Sequence, residues 1–316
     1  MQEVLTLDAV RRAADRIRGR VVRTPLLRHD LGGVDLLLKP ESLQPTGAFK
    51  LRGAFNHMLQ LPPDCPGVVA HSSGNHAQAV ARAARDLGLR AVVVMPDDAP
   101  ESKRARTEAD GAEIVVVGSD SEERARVAAE LASERGLVAV EPFDDLQVAA
   151  GQGTAALEIM EDAGSIDRFV APISGGGLMA GCATVVAALA PSAEIVGVEP
   201  EDAGDTRASL EAGQRRSVPP PRTIADGLRV RTPGLRTWPI LRQHVARVEL
   251  VSDEEMIEAM VFALRELRLV LEPSGAASLA LALRERSTAG RCAVLLSGGN
   301  VDAALFADVA ARAARA

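Results

Sequence analysis

Aromatic residues are nearly absent from the 316-residue sequence, which contains six Phe, one Trp and no Tyr. Without Tyr, no phenol can serve as a catalytic acid or base. The scarcity of aromatic rings also argues against single-stranded nucleic acid as a ligand, because its bases stack on such rings. The net charge of −7 points the same way, since polyanions bind basic surfaces. An anionic ligand must therefore be held locally, by backbone N–H groups or a few cations.

Cysteines and long apolar runs are also scarce. Cys65, Cys182 and Cys292 are widely separated and form no C-x-x-C pair, which is typical of a reducing compartment. The N-terminal segment carries charges throughout, unlike a signal peptide. No apolar run approaches the ~20 residues that span a bilayer. The sequence predicts a cytoplasmic protein with no membrane or nucleic-acid partner.

Short apolar runs alternate with amphipathic stretches along most of the chain. Eight Val-rich or otherwise apolar runs predict buried strands, at 67–71, 91–95, 112–117, 137–140, 168–173, 193–199, 246–251 and 292–297. Helical spacing of Ala, Arg and Glu predicts helices between them, as at 75–88, 101–110 and 121–135. Such strands and helices are typical of parallel sheets covered on both faces. The sequence therefore predicts an α/β protein with two parallel-sheet domains.

A glycine-rich loop follows the predicted strand 168–173 directly. Ser174, Gly175, Gly176 and Gly177 precede a helical stretch that begins at Leu178. Consecutive glycines let the backbone approach an anion closely, and a helix N-terminus offers free N–H groups. No Lys follows as in a P-loop, and the spacing overlaps only loosely with a dinucleotide fingerprint. The loop predicts a phosphate site, although a plain turn also fits.

Lys50 stands in the first turn of a predicted helix, within the stretch QPTGAFKLRG. The helix dipole there favours the neutral amine, which is the form that attacks an aldehyde. Alone, such a Lys is more often a solvated surface residue. Beside a phosphate loop, it indicates a Schiff-base Lys for a phosphorylated aldehyde cofactor, pyridoxal phosphate.

Two further polar loops follow predicted strands. The stretch HSSGNH (71–76) combines hydroxyls, an amide and helix N-terminal N–H groups, which suit a substrate carboxylate. A helix N-cap explains the same residues equally well. In the stretch LLSGGN (295–300), Ser297 ends a strand and can direct its hydroxyl at a ring nitrogen. Ligands of such folds bind where strands end and helices begin, so we expect these loops to converge.

Together, the four loops resemble those of the fold-type-II pyridoxal-phosphate enzymes, and within them the serine/threonine dehydratase and serine racemase family. The resemblance extends from about residue 5 to about residue 305. It is carried by the stretches KPESLQPTGAFKLRGA (39–54), HSSGNHAQAVA (71–81), GQGTAALE (151–158), SGGGLMAG (174–181), TIADGL (223–228), LEPSGA (271–276) and LSGGNVD (296–302).

The resemblance implies a tryptophan synthase β-like fold, with two three-layer domains and the cofactor in the cleft between them. A large domain would combine residues 1–66 and 145–316, and a small one would hold 67–144. Relatives of this kind are commonly homodimers or homotetramers.

The resemblance also implies roles for single residues. Lys50 matches the residue that binds the cofactor covalently and then takes the Cα proton, and Ser73 matches the residue on the opposite substrate face in racemases. The other implied cofactor contacts are Phe49 against the ring, Asn75 at its 3-hydroxyl, Ser297 at its nitrogen, Gly227, and the loop Ser174, Gly175, Gly176, Gly177 and Leu178. The implied substrate contacts are Ser72, Ser73, Asn75, His76 and Arg124. Ser174 departs from racemase-like members, which usually have a fourth glycine, and Arg124 fits a solvated helix face equally well.

Glu199, Ala203 and Asp205 resemble the family's divalent-cation site, in which hard oxygen ligands suit Mg²⁺ or Ca²⁺. An acidic surface turn also fits.

The segment EPFDD (141–145) departs from many relatives, which have His before Pro. This departure bears on substrate choice or on domain closure. The chain ends soon after the Ser297 loop, so no C-terminal regulatory domain is expected.

A carboxylate partner would keep the ring nitrogen protonated and make the ring a full electron sink. The neutral hydroxyl of Ser297 does this less strongly, which favours β-elimination over transamination. We therefore expect a dehydratase that converts L-threonine or L-serine to a 2-oxo acid and ammonia. Serine racemase and 3-hydroxyaspartate dehydratase are alternatives within the family. A non-catalytic sensor of pyridoxal phosphate or an amino acid is a different class, expected to lack Lys50 or the phosphate loop. A nicotinamide dehydrogenase is disfavoured by the glycine spacing.

Overall fold

The computed structural model describes residues 4–72, 74–99, 101–118, 121–286 and 290–315. In these ranges the strands are β1 (Leu27–Leu31), β2 (Val34–Pro40), β3 (Val68–His71), β4 (Ala91–Pro96), β5 (Glu113–Val117), β6 (Val138–Ala139), β7 (Arg168–Pro172), β8 (Glu194–Pro200), β9 (Arg247–Val251) and β10 (Gly290–Leu296). The α-helices are α1 (Leu7–Ile17), α2 (Lys50–Met58), α3 (Asn75–Leu87), α4 (Glu101–Ala109), α5 (Ser121–Arg135), α6 (Leu146–Ala163), α7 (Gly177–Leu189), α8 (Asp205–Ala212), α9 (Trp238–His244), α10 (Asp253–Phe262), α11 (Pro273–Arg284) and α12 (Ala303–Arg315). Short 3-10 turns cover Glu41–Leu43, Glu201–Ala203 and Asp226–Leu228, and a π-helical turn covers Ala263–Leu267.

The larger sheet has six strands in the order β1-β2-β10-β7-β8-β9. Its neighbours run parallel except β1, which pairs antiparallel with β2. Gly32 and Gly33 join these two strands with φ of 64° and 100°, as a tight hairpin turn requires. Neither strand is among those predicted, and the expectation of a wholly parallel sheet is wrong at this edge. The residues of β1 alternate between half-buried and exposed, so β1 lacks the continuous apolar run that identifies buried strands.

Helices cover both faces of the larger sheet. On one face, Leu37 and Leu295 pack with residues of α1, α6 and α7. On the other face, Leu38 and Val294 pack with residues of α10 and α11. Consecutive residues of one strand therefore enter opposite clusters, as the two-residue period of a strand demands. This arrangement is the predicted three-layer unit.

The smaller sheet has four parallel strands in the order β5-β4-β3-β6. Val68 and Ala70 pack with α2 and α3 on one face. Val69, between them, packs with Ala128 and Leu131 of α5 on the other. The two-domain α/β architecture with largely parallel sheets is therefore confirmed.

Helix α2 lies where the two units meet. Its residues Leu51, Phe55 and Met58 belong to the apolar cluster of the smaller sheet. On its other side, Gly53 approaches α6 so closely that a Cβ atom would lie 2.3 Å from the Gln152 amide nitrogen. The strands of the smaller sheet all lie between residues 67 and 144, in agreement with the predicted domain boundaries. Helix α2 belongs to the predicted large domain but packs on the smaller sheet, so these boundaries stay a prediction.

The eight predicted strands are all present, with ends shifted by a residue or two. The strand ends that carry the predicted loops therefore lie at the carboxyl edges of the two sheets. In the described residues, no helix combines the length and the apolar character needed to cross a membrane.

Candidate active site

The segment that leads into Lys50 is paired with the loop after β10. Gly299 donates a hydrogen bond from its N–H to the Gly47 carbonyl (2.8 Å), and Phe49 donates to the Ser297 carbonyl (3.1 Å). Gly47 has φ of 72°, and a Cβ there would lie 2.4 Å from the Asn300 side chain. The backbone thus fixes the start of α2 beside Ser297, as predicted for two residues of one site.

The amine of Lys50 lies within the protein at the first residue of α2. Its Nζ donates a hydrogen bond to the Pro142 carbonyl at 2.6 Å and lies 5.2 Å from the centre of the Phe49 ring. Removal from water lowers the pKa of Lys50 to about 8, because burial disfavours the charged form. A substantial fraction of the amine is therefore neutral near pH 7 to 8 and can act as a nucleophile or base.

The glycine loop after β7 is closely packed by Phe143. A Cβ on Gly175 would lie 2.2 Å from the Phe143 ring, and one on Gly177 would lie 2.8 Å from the Phe143 carbonyl oxygen. Gly176 has φ of 95°. These three positions therefore require glycine, and the loop turns directly into α7. Leu178, in the first turn of α7, is buried.

Ser174 begins this loop, and its buried Oγ has no hydrogen-bond partner among the described residues. A buried hydroxyl without a partner is unusual in a folded protein. Together with the N-terminus of α7, it suits a phosphate, whose oxygens accept hydrogen bonds. The loop thus fits the phosphate of the predicted cofactor.

Three residues that sequence reasoning did not assign to the site, Thr237, Gly234 and Asp144, hold the glycine loop and its surroundings in place. Thr237 donates from its Oγ1 to the Gly175 carbonyl at 2.7 Å, and the Gly234 N–H donates to the same oxygen at 3.1 Å. Asp144 accepts N–H bonds from residues 235, 236 and 237 at 2.9, 2.7 and 3.3 Å. The segment 142–144 therefore contacts Lys50, the glycine loop and the approach to α9.

Asn75 lies at the first residue of α3, between two side chains of the larger unit. Its Nδ2 donates to Oε1 of Glu272 at 2.6 Å, and its Oδ1 accepts from Asn300 at 2.8 Å. Asn300 also donates to the Thr46 carbonyl at 2.8 Å. The Asn75 amide is thereby oriented beside the segment that carries Lys50, as a residue at the cofactor must be.

Glu272 is a further residue that sequence reasoning missed, although it lies in the quoted stretch LEPSGA. It is buried, and burial raises the pKa of its carboxyl group. Lys103 of α4 lies 3.9 Å from it and forms an ion pair with Asp226. This ion pair joins the smaller unit to the turn that contains Gly227.

Gly227 and Ser297 both contact Ser274, at the start of α11. The Gly227 N–H donates to the Ser274 hydroxyl at 3.0 Å, and the buried Ser297 hydroxyl donates to the Ser274 carbonyl at 3.2 Å. The two predicted cofactor residues are therefore held close to one another.

The predicted substrate loop lies between β3 and α3. Ser72 accepts an N–H bond from Gly74 at 3.1 Å, whereas Ser73 lies outside the described residues. His76 is buried, and its Nε2 lies 2.8 Å from the Val140 carbonyl, which requires a donating N–H. Burial and nearby Lys50 lower the pKa of His76 to about 3. The ring is therefore neutral and turned to Val140, which does not favour its predicted contact with a substrate carboxylate.

Arg124 lies on α5 and is half-buried. The sequence predicts it as a substrate contact, and the structure places it on the helix that covers the smaller sheet. Its role stays a prediction.

The predicted cation ligands lie at the end of β8 and in the segment that follows it. Glu199 is buried and accepts N–H bonds from Thr206 (2.9 Å) and Arg207 (3.0 Å). Asp205 is buried too, and its two oxygens have no hydrogen-bond partner among the described residues. Burial raises the pKa of both carboxyl groups, and the Glu199 charge raises that of Asp205 further. In the described part of the chain, no cluster of three or more His, Cys, Asp or Glu side chains could hold a metal.

Comparisons with known proteins agree with this geometry. Residues 17–298 match the family described as pyridoxal-phosphate dependent enzyme. The chain is 40% identical over 317 residues to L-threonine ammonia-lyase of Geobacter sulfurreducens, covering 98% of this chain and 79% of that protein. It is 38% identical over 314 residues to L-threo-3-hydroxyaspartate ammonia-lyase of Saccharomyces cerevisiae, covering 97% and 96%. The structure of maize serine racemase aligns with a TM-score of 0.92 and 36% identity over 99% of both chains.

A family match over most of the chain, with relatives well above 30% identity, agrees with the two-sheet fold and the glycine loop. The chain belongs to the serine/threonine dehydratase and serine racemase family of fold-type-II pyridoxal-phosphate enzymes.

Proposed function

We propose that the protein is an ammonia-lyase that eliminates the β-hydroxyl of L-threonine or L-serine and yields a 2-oxo acid and ammonia. The observation that carries the proposal is Lys50. Its amine has a pKa of about 8 and donates a hydrogen bond to the segment that packs on the glycine loop, and the preceding residue, Phe49, is hydrogen-bonded to Ser297. A base of this pKa suits proton transfer near neutral pH.

Pyridoxal phosphate fits these residues. Ser174 and the N–H groups around Gly175 to Leu178 would hold its phosphate, Lys50 would bind its aldehyde, and Ser297 would face its ring nitrogen. Phe49 would pack against the ring, and Asn75 and Gly227 would lie at its edge. When bound, the cofactor supplies an electron-withdrawing ring that stabilises negative charge at the substrate Cα. We place it in the cleft between the two sheets.

Lys50 moves the proton in this proposal. Its neutral amine takes the proton from the substrate Cα. The β-hydroxyl takes up one proton and leaves as water. The released enamine tautomerises to an imine, takes up one water and splits into a 2-oxo acid and ammonia. One water leaves and one is consumed, so the reaction is a net deamination.

The substrate carboxylate would lie at the N-terminus of α3. The Ser72 hydroxyl, the Asn75 amide and the helix N–H groups provide neutral donors there, and a helix N-terminus favours an anion. His76, held by Val140, would shape this loop. Arg124 remains a proposed substrate contact from α5.

Serine racemase is an alternative within the same site, supported by the maize relative. Racemisation needs a second acid or base on the other substrate face, and Ser73 is the candidate. We expect Ser73→Ala to reduce racemisation far more than elimination of an L-substrate. Equal losses of both activities would contradict this role.

A dehydratase for 3-hydroxyaspartate is the second alternative, supported by the yeast relative. A non-catalytic sensor belongs to a different class, and the presence of Lys50 and the intact glycine loop argues against it. A panel of L- and D-serine, L- and D-threonine and the 3-hydroxyaspartate isomers, scored for 2-oxo acid and for product chirality, separates these activities.

The covalent role of Lys50 has a sharp test because the sequence contains three lysines, Lys39, Lys50 and Lys103. Lys39 and Lys103 are buried in ion pairs. Borohydride reduction of the yellow protein should fix the cofactor on Lys50 alone, as read by peptide mass. Lys50→Ala should abolish elimination. A protein that takes up no pyridoxal phosphate, or label on another lysine, would contradict the proposal.

We also propose that Glu199, Asp205 and the Ala203 carbonyl bind Mg²⁺ or Ca²⁺. The two buried oxygens of Asp205 that lack partners support this, since buried carboxylates are normally paired or bind metals. In this proposal the cation would stabilise the fold and take no part in the chemical step.

A further inference from the structure

We propose that Glu141 sets the substrate class of the site: its carboxylate disfavours amino acids with a second carboxylate and so selects serine or threonine over 3-hydroxyaspartate. This inference rests on the proposed function and names the substrate class of that site.

Glu141 lies between two residues whose carbonyls contact the site. The Val140 carbonyl accepts a hydrogen bond from His76 at 2.8 Å, and the Pro142 carbonyl accepts one from Lys50 at 2.6 Å. The backbone of Glu141 is thus held between the substrate loop and the proposed base.

The side chain of Glu141 extends toward the substrate loop. Its Oε2 lies 3.7 Å from Nε2 of His71, the residue directly before Ser72. This separation exceeds hydrogen-bond distance, and the Glu141 side chain is 46% exposed. The carboxylate is therefore not buried; it lies within ion-pair distance of His71 and is held beside that loop, where its charge acts on whatever binds.

A cation beside the substrate loop is already engaged by a carboxylate. Lys103, which lies next to Gly74, forms an ion pair with Asp226. Arg124 also has a partner within the chain. A second substrate carboxylate beside this loop would thus meet the carboxylate of Glu141, while Lys103 is already paired.

Like charges held a few ångströms apart in a partly wet site change binding or rate constants by about ten- to a hundredfold. A monocarboxylic substrate does not experience this repulsion at its side chain. Removal of the Glu141 charge should therefore change the ratio of the two substrate classes and not only the overall rate.

The test uses the holoenzyme with Glu141→Gln and, as a matched control, Glu134→Gln, which removes one charge from an exposed position of α5. The kcat/KM values are measured for L-threonine and for L-threo-3-hydroxyaspartate. We expect Glu141→Gln to raise the hydroxyaspartate-to-threonine ratio by about tenfold or more, which corresponds to about 1.4 kcal/mol. Glu134→Gln should leave this ratio unchanged.

A binding measurement separates this inference from the proposed function. L-Alanine and L-aspartate differ by one carboxylate and carry no β-hydroxyl, and their binding is followed by cofactor absorbance. Glu141→Gln should strengthen the binding of L-aspartate, relative to that of L-alanine, by a similar factor. If wild type turns over no hydroxy amino acid, the proposed function fails and this binding ratio still decides the role of Glu141. Unchanged ratios in both assays, or a wild type that prefers hydroxyaspartate, would overturn the inference.

Discussion

The Nζ atom of Lys50 donates a hydrogen bond to the Pro142 carbonyl at 2.6 Å. The next residue, Phe143, packs on Gly175 and Gly177. One short segment therefore orients the proposed base and seats the proposed phosphate loop. A displacement of this segment would change the orientation of the Lys50 amine and the packing of the glycine loop together. Cofactor binding is therefore coupled to the position of the amine.

The pKa of Lys50 predicts how cofactor capture depends on pH. Because the neutral amine attacks the aldehyde, and burial lowers its pKa to about 8, the neutral fraction falls about tenfold per pH unit below 8. The rate at which cofactor-free protein captures pyridoxal phosphate should rise steeply from pH 6 to 8 and level off above it. Stopped-flow absorbance measures this rate.

Lys50→Ala is the control for that measurement and should give no covalent phase. A profile that is flat from pH 6 to 8, or that is still rising at pH 10 as for an ordinary Lys, would contradict the assigned pKa.

The packing of Phe143 on the glycine loop predicts a rescue. Gly175→Ala would place a methyl group 2.2 Å from the Phe143 ring, and such overpacking costs about 1–3 kcal/mol. We expect Gly175→Ala to weaken the binding of pyridoxal phosphate by at least about tenfold, as measured by fluorescence titration. The double variant Gly175→Ala/Phe143→Ala should recover part of that affinity, because the clash is removed. Equal affinities of the single and double Gly175 variants would show that the clash does not govern the loop.

Much of the fold was predictable because buried parallel strands are continuous apolar runs, as in β4 and β10. The β1–β2 hairpin was not, since an edge strand such as β1 has no such run. The packing of α2 on the smaller sheet was also not predictable. Its apolar face is visible in the sequence, but the sheet that it meets depends on contacts distant along the chain.

The site residues that could be predicted carry their chemistry in their own side chains or in glycine spacing, as Lys50, Ser297 and Gly175 do. The residues missed act through geometry. Asp144 accepts backbone N–H groups about ninety residues away, and Glu272 orients Asn75 across the two units. No spacing in the sequence indicates such long-range pairs. The sequence likewise does not indicate that His76 donates a hydrogen bond to the Val140 carbonyl.

The proposed cation site predicts a change in thermal stability. Millimolar Mg²⁺ or Ca²⁺ should raise the Tm of the wild type by a few degrees, because a ligand that binds the folded state stabilises it. Glu199→Gln should abolish that rise. Glu201→Gln, an exposed residue of the adjacent turn, is the matched control and should retain it. A wild-type Tm that neither these cations nor a chelator changes would refute the site.

The last prediction concerns the buried ion pairs behind Lys50. Arg52, fully buried two residues after Lys50, donates to Glu41 at 2.7 and 2.8 Å and to Glu158 at 2.7 and 2.8 Å. Removing its charge would leave the buried Glu41 carboxylate with only the neutral donors Thr24 and Gln44, while Glu158 keeps Lys39. Breaking a buried ion pair in this way costs about 3–5 kcal/mol. Arg52→Met should therefore lower the free energy of unfolding by about that amount, measured by urea denaturation. Arg23→Met removes an Arg from an ion pair with Glu161 that is half-exposed, and such pairs contribute about 0–1 kcal/mol. Similar losses in the two variants would mean that the buried cluster does not stabilise the helix that carries Lys50.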